Sequence, residues 1–494
     1  MTKKSTLRPI MFVGTGSDVG KSVLTAGFCR IFLQDGYHPA PFKAQNMSLN
    51  SYATPNGLEI GRAQAMQAEA CGIPCSSDMN PVLLKPNSYM SSQVVLNGKA
   101  IGNQTAKEYF LKTDRESLFG EATKAYRRLE KHYNPIVLEG AGSISEVNLW
   151  DKDITNMKMA LETNSAVMLV ADIDKGGVFG SVYGTIQLLP PAEKALIKGI
   201  IINKFRGDIS LFDKGKDILE ELTGIPVVGI IPWFKDIYID DEDSVVIDSK
   251  QQQSSNDKIN IAVVLLKHIS NFTDFNYLER LPQTHLFYTN NPEELANAHI
   301  IIIPGSKNTI SDMMNLRTTG MASAIMAQHQ AGKAVYGICG GYQIMGEMIF
   351  DPNHVEGDIE QIPGLGLLPI ITTMTGAKTT EQAEFQFLNH QAICKGYEIH
   401  VGESVPKTPS PLCKLSNGKD DGYFVNSKTW GSYLHGIFDN ELIINYILEQ
   451  NGIATSEILE DNASFKDTQY NKLADHVRRN ANLDYIYKIL KNNE

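Results

Sequence analysis

Short apolar runs punctuate the chain, and most end at a glycine, an acid or an asparagine. In the first half they are Pro9 to Val13, Pro135 to Leu138, Ala166 to Ala171, Gly199 to Ile202 and Ile225 to Ile231. In the second half Ile259 to Leu266, Ile300 to Ile303 and Ala334 to Tyr336 repeat the pattern. Strands that are apolar throughout, rather than alternating, are those covered on both faces. Between them apolar residues recur at helical spacing, as in Val23, Leu24, Phe28, Ile31 and Phe32. Strands alternating with helices predict parallel sheets with helices on both sides. An acidic run, Asp240 to Asp243, and the polar tract Ser249 to Asn256 have no apolar period and read as a linker. The expectation is an α/β chain of two doubly wound domains: residues 1–245, a linker at 246–257, a second domain at 258–450 and a helical C-terminal extension at 451–494. Leu473, Ala474, Val477, Leu483, Ile486, Ile489 and Leu490 carry the helical spacing of that extension.

The length of 494 residues fits this division, since a single core rarely grows so large. A formal charge of −11 argues against nucleic acid or an anionic membrane as the main partner. No apolar stretch reaches membrane-spanning length, and Met1 to Ser5 lead into a strand without a signal-peptide core. The six cysteines are scattered, with only Cys71 and Cys75 close together and no second pair to complete a zinc pattern. They read as reduced thiols of a cytoplasmic protein.

Chemistry enters first at Gly14-Thr15-Gly16-Ser17-Asp18-Val19-Gly20-Lys21-Ser22, between a strand and a helix. This is a phosphate-binding P-loop context. Backbone N–H groups wrap the phosphates, Lys21 neutralises the terminal ones and the Ser22 hydroxyl ligates Mg²⁺. The first glycine stands one residue further from Gly20 than the strict motif allows. Pro135-Ile136-Val137-Leu138-Glu139 delivers a carboxylate to a strand end, where ligands of open parallel sheets collect. Glu139 is read as a Mg²⁺ ligand, with a capping acid as the alternative. Glu59 opens a helical stretch and reads equally as a further metal ligand or a solvated helix-start acid. Asn203, at another strand end, suits either the edge of a nucleotide base or a turn. The polar stretch Pro41 to Asn50 offers Lys43, Gln45, Asn46, Ser48 and Asn50 to a substrate, or is an ordinary loop.

In the second domain, Gly337-Ile338-Cys339-Gly340-Gly341 sits where a strand turns into a helix. This is the cysteine form of a nucleophile elbow, with the sulfur at a helix N-terminus, a setting that favours thiolate. The Pro304-Gly305-Ser306 turn offers an oxyanion donor at Gly305, with the amide of Gly340 as the second. His435, in Tyr433-Leu434-His435-Gly436, is the expected base, and His400 is its competitor.

The long P-loop resembles that of dethiobiotin synthetase and its relatives, which use ATP to activate a carboxylate. Gly337 to Gln343 together with Tyr433 to Gly436 resemble the flavodoxin-like class I glutamine amidotransferase domain. The order of the two resembles the cobyric and cobyrinic acid amide synthases. Pro41 to Asn50 and Asp172 to Phe179 resemble the cobyric acid synthase branch.

The resemblance implies an ATP- and Mg²⁺-dependent, glutamine-hydrolysing ligase with Cys339 as nucleophile and His435 as base. It implies glutamine and a corrinoid polycarboxylate as substrates: adenosylcobyrinic acid a,c-diamide, amidated at its b, d, e and g carboxylates on the route to cobalamin. Many class I members place Glu two residues beyond the His, but here Ile437 stands there. The expectation is therefore a Cys–His dyad, with Glu398 as the candidate third member. Two alternatives are a related amidotransferase acting on another carboxylate, either a cobyrinic acid a,c-diamide synthase or an enzyme with a cell-wall acceptor, and a non-catalytic P-loop scaffold ATPase.

Overall fold

Runs of Ile, Val, Leu and Met cannot present one face to water, so they assemble into sheets sandwiched by helices. The computed structural model describes residues 5–86, 91–105, 114–240, 253–453 and 460–491. In the first unit, strands β1 (Ile10–Gly14), β2 (Ala40–Phe42), β3 (Ile136–Glu139), β4 (Ala166–Asp172), β5 (Ile197–Phe205) and β6 (Val227–Pro232) lie in the order β6-β5-β4-β1-β3-β2, all parallel. From β1 the chain first builds on one side, then crosses to β4 on the other. The crevice at the C-terminal end of β1 is thus the topological switch point where ligands bind. Helix α1 (Lys21–Gln34) begins there, and α2 (Arg62–Ala70) packs against it. A short antiparallel pair, Ser51–Ala53 with Glu59–Gly61, leads into α2.

The second unit contains β7 (Ile259–Val264), β8 (Thr284–Thr289), β9 (Ile300–Ile303), β10 (Ala334–Ile338), a long hairpin of β11 (Ile370–Phe387) and β12 (Ile393–Pro406), then β13 (Tyr423–Asn426) and β14 (Thr429–Ser432). Its main sheet runs β8-β7-β9-β10-β14-β13, parallel except for β13. This order makes β10 and β14 neighbours, so the segments that follow them emerge side by side.

The expected boundary at 245/246 and residues 246–252 of the expected linker lie outside the described residues. The C-terminal helices α3 (Asn462–Asn480) and α4 (Leu483–Lys491) form, but they dock on the first unit, α3 against α1 and both against the edge strand β6. Leu473, Ala474, Val477, Ile486 and Leu490 share one core with Phe12 and Phe28. Gly27 makes the close approach possible: a Cβ there would sit 3.1 Å from Val477 Cγ2. Leu473→Ala is expected to cost about 2–5 kcal/mol through the cavity left in this core. A lowered urea midpoint at unchanged slope would register it. Among the described residues, no helix is long and apolar enough to cross a membrane. All six cysteines are buried free thiols.

Candidate active site

The loop after β1 closes on its own lysine. Lys21 Nζ donates to Gly16 O at 3.0 Å and to Gly142 O at 2.9 Å. Gly20 adopts φ 94°, a left-handed conformation that costs glycine little. A Cβ at Gly20 would also collide with Asn203 Nδ2, which lies 2.1 Å from its ideal position. Asn203 Nδ2 donates to Val19 O at 2.8 Å, so it buttresses the loop. The Thr15 amide donates back to Val170 O on β4 at 3.0 Å.

Glu139 is the hub of this end of the sheet. Its buried carboxylate accepts from Ser22 Oγ at 2.8 Å, Lys43 Nζ at 2.7 Å and Gln67 Nε2 at 2.6 Å. Gln67, on α2, was not legible in the sequence; only its helical phase relative to Gln64 hints at an inward amide. Ser22 and Glu139 offer one hydroxyl and one carboxylate, a donor set that suits Mg²⁺ when phosphate oxygens and waters complete its octahedron. Among the described residues, no group of three His, Cys, Asp or Glu is placed to hold a metal by itself. Glu59 is not in this cluster. It is fully buried and ion-paired to Lys85 Nζ at 2.8 Å and to Lys378 Nζ from the second unit. Burial would raise its pKa, but the two lysines hold it well below the usual carboxylate range.

Of the other polar loop residues, Gln45 Oε1 accepts from Arg115 at 3.2 Å, and Asn46 Nδ2 donates to Gln64 Oε1 at 3.1 Å. Ser48 and Asn50 bond each other in a local turn. Lys43 thus reaches the Glu139 cluster, and Asn46 approaches it through α2.

The second centre is built by the β10–β14 pairing. Ile338 pairs with Ser432, and the Cys339 amide donates to Ser432 O at 2.8 Å. Cys339 takes φ 52°, ψ −110°, a strained conformation at the tip of the elbow. The glycines around it are sterically required: a Cβ on Gly341 would lie 1.9 Å from Ile303 O, and one on Gly340 2.7 Å from Ser306 N. Gly340 therefore packs directly on the Gly305–Ser306 turn, and a Cβ on Gly305 would come within 3.2 Å of His435 Cε1. Cys339, His435, Gly305 and Gly340, the expected nucleophile, base and oxyanion residues, are thus brought together.

His435 is 1% exposed, and its Nδ1 lies 2.7 Å from Asp274 Oδ2. Asp274 Oδ1 accepts the Gly436 amide at 3.0 Å, which fixes the carboxylate's orientation. Beside the expected Cys339–His435 pair, the place of a third member is taken by Asp274 and not by Glu398. Asp274 stands 161 residues before His435, in the single turn Phe272–Phe275. Its one sequence signal is a lone acid between buried phenylalanines. Glu398 does not contact His435. It lies 3.9 Å from His400, and burial beside Asp421 raises its pKa to about 8. His400 lines the same cavity but stacks on Tyr433 with ring centroids 3.7 Å apart. Burial lowers its pKa to about 4, which leaves it neutral. At His435 burial also acts downward, but the Asp274 carboxylate and the Cys339 sulfur outweigh it and lift the pKa to about 10. Such a histidine stays protonated across the neutral range and can deliver a proton to a leaving group.

Residues 260–443 match the family described as CobB/CobQ-like glutamine amidotransferase domain, and residues 10–246 match the CobQ/CobB/MinD/ParA nucleotide binding domain. The chain is 58% identical over 491 residues to the cobyric acid synthase of Bacteroides fragilis, covering 99% of each protein. It is 58% identical to that of Phocaeicola vulgatus, covering 99% of this chain and 100% of the relative. The chain belongs to the cobyric acid synthases. A more distant relative, from Syntrophobacter fumaroxidans, is 44% identical with 98% of both chains covered. In this member of the cobyric acid synthases, the nucleotide-binding match spans the Lys21–Ser22–Glu139 centre and the amidotransferase match spans the Cys339–His435–Asp274 centre.

Proposed function

We propose that this chain amidates the b, d, e and g carboxylates of adenosylcobyrinic acid a,c-diamide, using ATP and glutamine. The observation that carries the reading is that two polar clusters, Lys21–Ser22–Glu139 and Cys339–His435–Asp274, stand in one polypeptide, each at the C-terminal end of its own parallel sheet. The corrinoid acceptor rests on the cobyric acid synthase name shared by relatives over the full length.

In the second centre, the Cys339 thiolate attacks the glutamine carboxamide carbon, and amides around Gly305 and Gly340 stabilise the oxyanion. His435, oriented by Asp274, protonates the departing nitrogen, and ammonia leaves a glutamyl thioester. Water then cleaves the thioester, regenerating the thiolate and releasing glutamate. In the first centre, Lys21 and the loop amides hold the ATP phosphates in line with an acceptor carboxylate. That carboxylate takes the γ-phosphoryl group and ADP leaves. Ammonia attacks the acyl phosphate, and phosphate departs as the amide forms. Ser22 and Glu139 are the residues that would hold Mg²⁺, which when bound neutralises phosphate charge. Lys43, ion-paired to Glu139 at 2.7 Å, would hold an acceptor carboxylate brought to the same end of the sheet. Residues 1–245 with the docked C-terminal helices make the acid-activating unit, and 258–450 the glutaminase.

The reading is tested by incubating the protein with ATP, Mg²⁺, glutamine and candidate acids, and following product mass and glutamate. A corrinoid diamide gaining four amides supports it; amidation of another acid alone overturns the acceptor. Lys21→Ala is expected to lower amidation about 10²–10³-fold with either glutamine or ammonium as nitrogen source, the loss typical of removing one transition-state donor. Steady-state rates with each source check this.

A further inference from the structure

We infer that Asp312 is a positioning residue for glutamine hydrolysis: through Ser306 and His268 it fixes the turn that presents an oxyanion amide to the Cys339 centre. The inference rests on the reading of Cys339 as the nucleophile given above.

The expected donor at Gly305 stands on a very short ribbon. Ile269–Ser270 and Gly305–Ser306 pair antiparallel, with Ile269 opposite Ser306 and Ser270 opposite Gly305. So few ladder bonds cannot hold a ribbon in place, since even longer isolated hairpins are marginal in water. The site nevertheless needs this turn held closely. A Cβ on Gly340 would lie 2.7 Å from Ser306 N, so turn and elbow meet backbone to backbone. Oxyanion donors act over about 2.7–3.1 Å, and a small displacement of the turn removes their effect.

One side chain supplies the missing restraint. Asp312 stands in the first turn of the helix Thr309–Thr318, and its side chain has no exposed surface. Its Oδ2 accepts from Ser306 Oγ at 2.6 Å. Its Oδ1 lies 3.0 Å from His268 Nδ1, and the His268 amide donates to both oxygens at 3.3 Å. A ring nitrogen facing a carboxylate carries the proton, so Nδ1–H is the donor. His268 directly precedes one strand of the ribbon, and Ser306 ends the other. A single carboxylate therefore ties the two strands together at that end. Two backbone amides close the same place: Lys307 N donates to His268 O at 2.9 Å, and Asn308 N donates to Ser306 Oγ at 3.1 Å. The Ser306 hydroxyl thus gives one bond and receives another, which fixes its rotamer.

An ionised acceptor makes these bonds stronger and more directional than a neutral one, and the helix N-terminus offsets part of its desolvation. The order Ser306–Asp312–His268 is not that of a second nucleophile, because the carboxylate stands between hydroxyl and imidazole. Ser306 lines the Cys339 cavity and Asp312 does not, so Asp312 acts through the turn alone.

The test compares full-length Asp312→Asn with the wild type. Asparagine keeps the size but sets an N–H group against a donor. The kcat for glutamine hydrolysis is expected to fall about 10- to 100-fold, less than the roughly 10²–10³-fold loss of a whole oxyanion donor, with KM changed by no more than about twofold. Glutamate γ-semialdehyde forms a tetrahedral adduct with a cysteine and places an oxygen where the oxyanion develops. Its binding should weaken by the factor that kcat/KM loses. Ser306→Ala should reproduce the loss, and the double variant should lose no more than the worse single one, as expected for two parts of one device. A raised KM at unchanged kcat overturns the proposal, as do undiminished aldehyde binding and losses that multiply in the double variant. Labelling with 6-diazo-5-oxonorleucine counts intact sites, and rates are expressed per labelled Cys339. A loss that vanishes on that basis is misfolding and also overturns it. Wild-type protein labelled at a residue other than Cys339 sinks the nucleophile reading instead, so the two failures are distinguishable.

Discussion

Cys339→Ala is expected to abolish glutamine-driven amidation, by about ten-thousandfold or more, while ammonium-driven amidation persists. The magnitude follows from covalent catalysis: without sulfur there is no thioester, and neither His435 nor the oxyanion turn supplies a substitute nucleophile. The selectivity follows from the architecture. Cys339 lies on the elbow after β10, whereas Lys21, Ser22 and Glu139 belong to another sheet with its own core. Glutamate release and amide formation, measured in parallel with each nitrogen source, separate the two effects.

Asp274→Asn is expected to reduce glutamine hydrolysis about 10³–10⁴-fold, the loss seen when a triad acid becomes an amide and the imidazole is held in the wrong tautomer. The pH profile should change as well. In the native protein the pKa of His435 is about 10, so the proton donor persists through neutral pH. Without the carboxylate, burial is left opposed only by Cys339, and the residual glutaminase should fall as pH rises through the ordinary histidine range, near ~6.5. The linked stability has a definite sign. A folded pKa above the unfolded value means the His435–Asp274 pair contributes fully below about 6.5, and that contribution is lost as pH rises through about 10. Glu398→Gln serves as the control and is expected to leave the glutaminase rate and profile unchanged.

The sequence carried the parts whose signals are local. Both parallel sheets were readable because runs such as Ile300–Ile303 admit no other burial. The P-loop and the elbow were readable because glycine spacing reports backbone shape. The third triad member was not, because Asp274 meets His435 only through folding, across 161 positions of chain. Glu59 misled for the same reason: a carboxylate at a helix start has the same local pattern whether a metal or a lysine neutralises it. Its partner Lys378 stands 319 residues away on a hairpin whose sequence gives no hint of the contact. The docking of α3 and α4 on the first unit was equally silent, since an amphipathic helix declares that it packs but not against what.

The most direct test supplies the wild-type enzyme with ATP, acceptor and glutamine labelled with heavy nitrogen at the side-chain amide, together with excess unlabelled ammonium. If one centre frees ammonia for the other inside a single chain, the amides formed carry the heavy label well above its share of the total nitrogen pool. Amides whose label merely matches the diluted bulk ammonium would contradict the account.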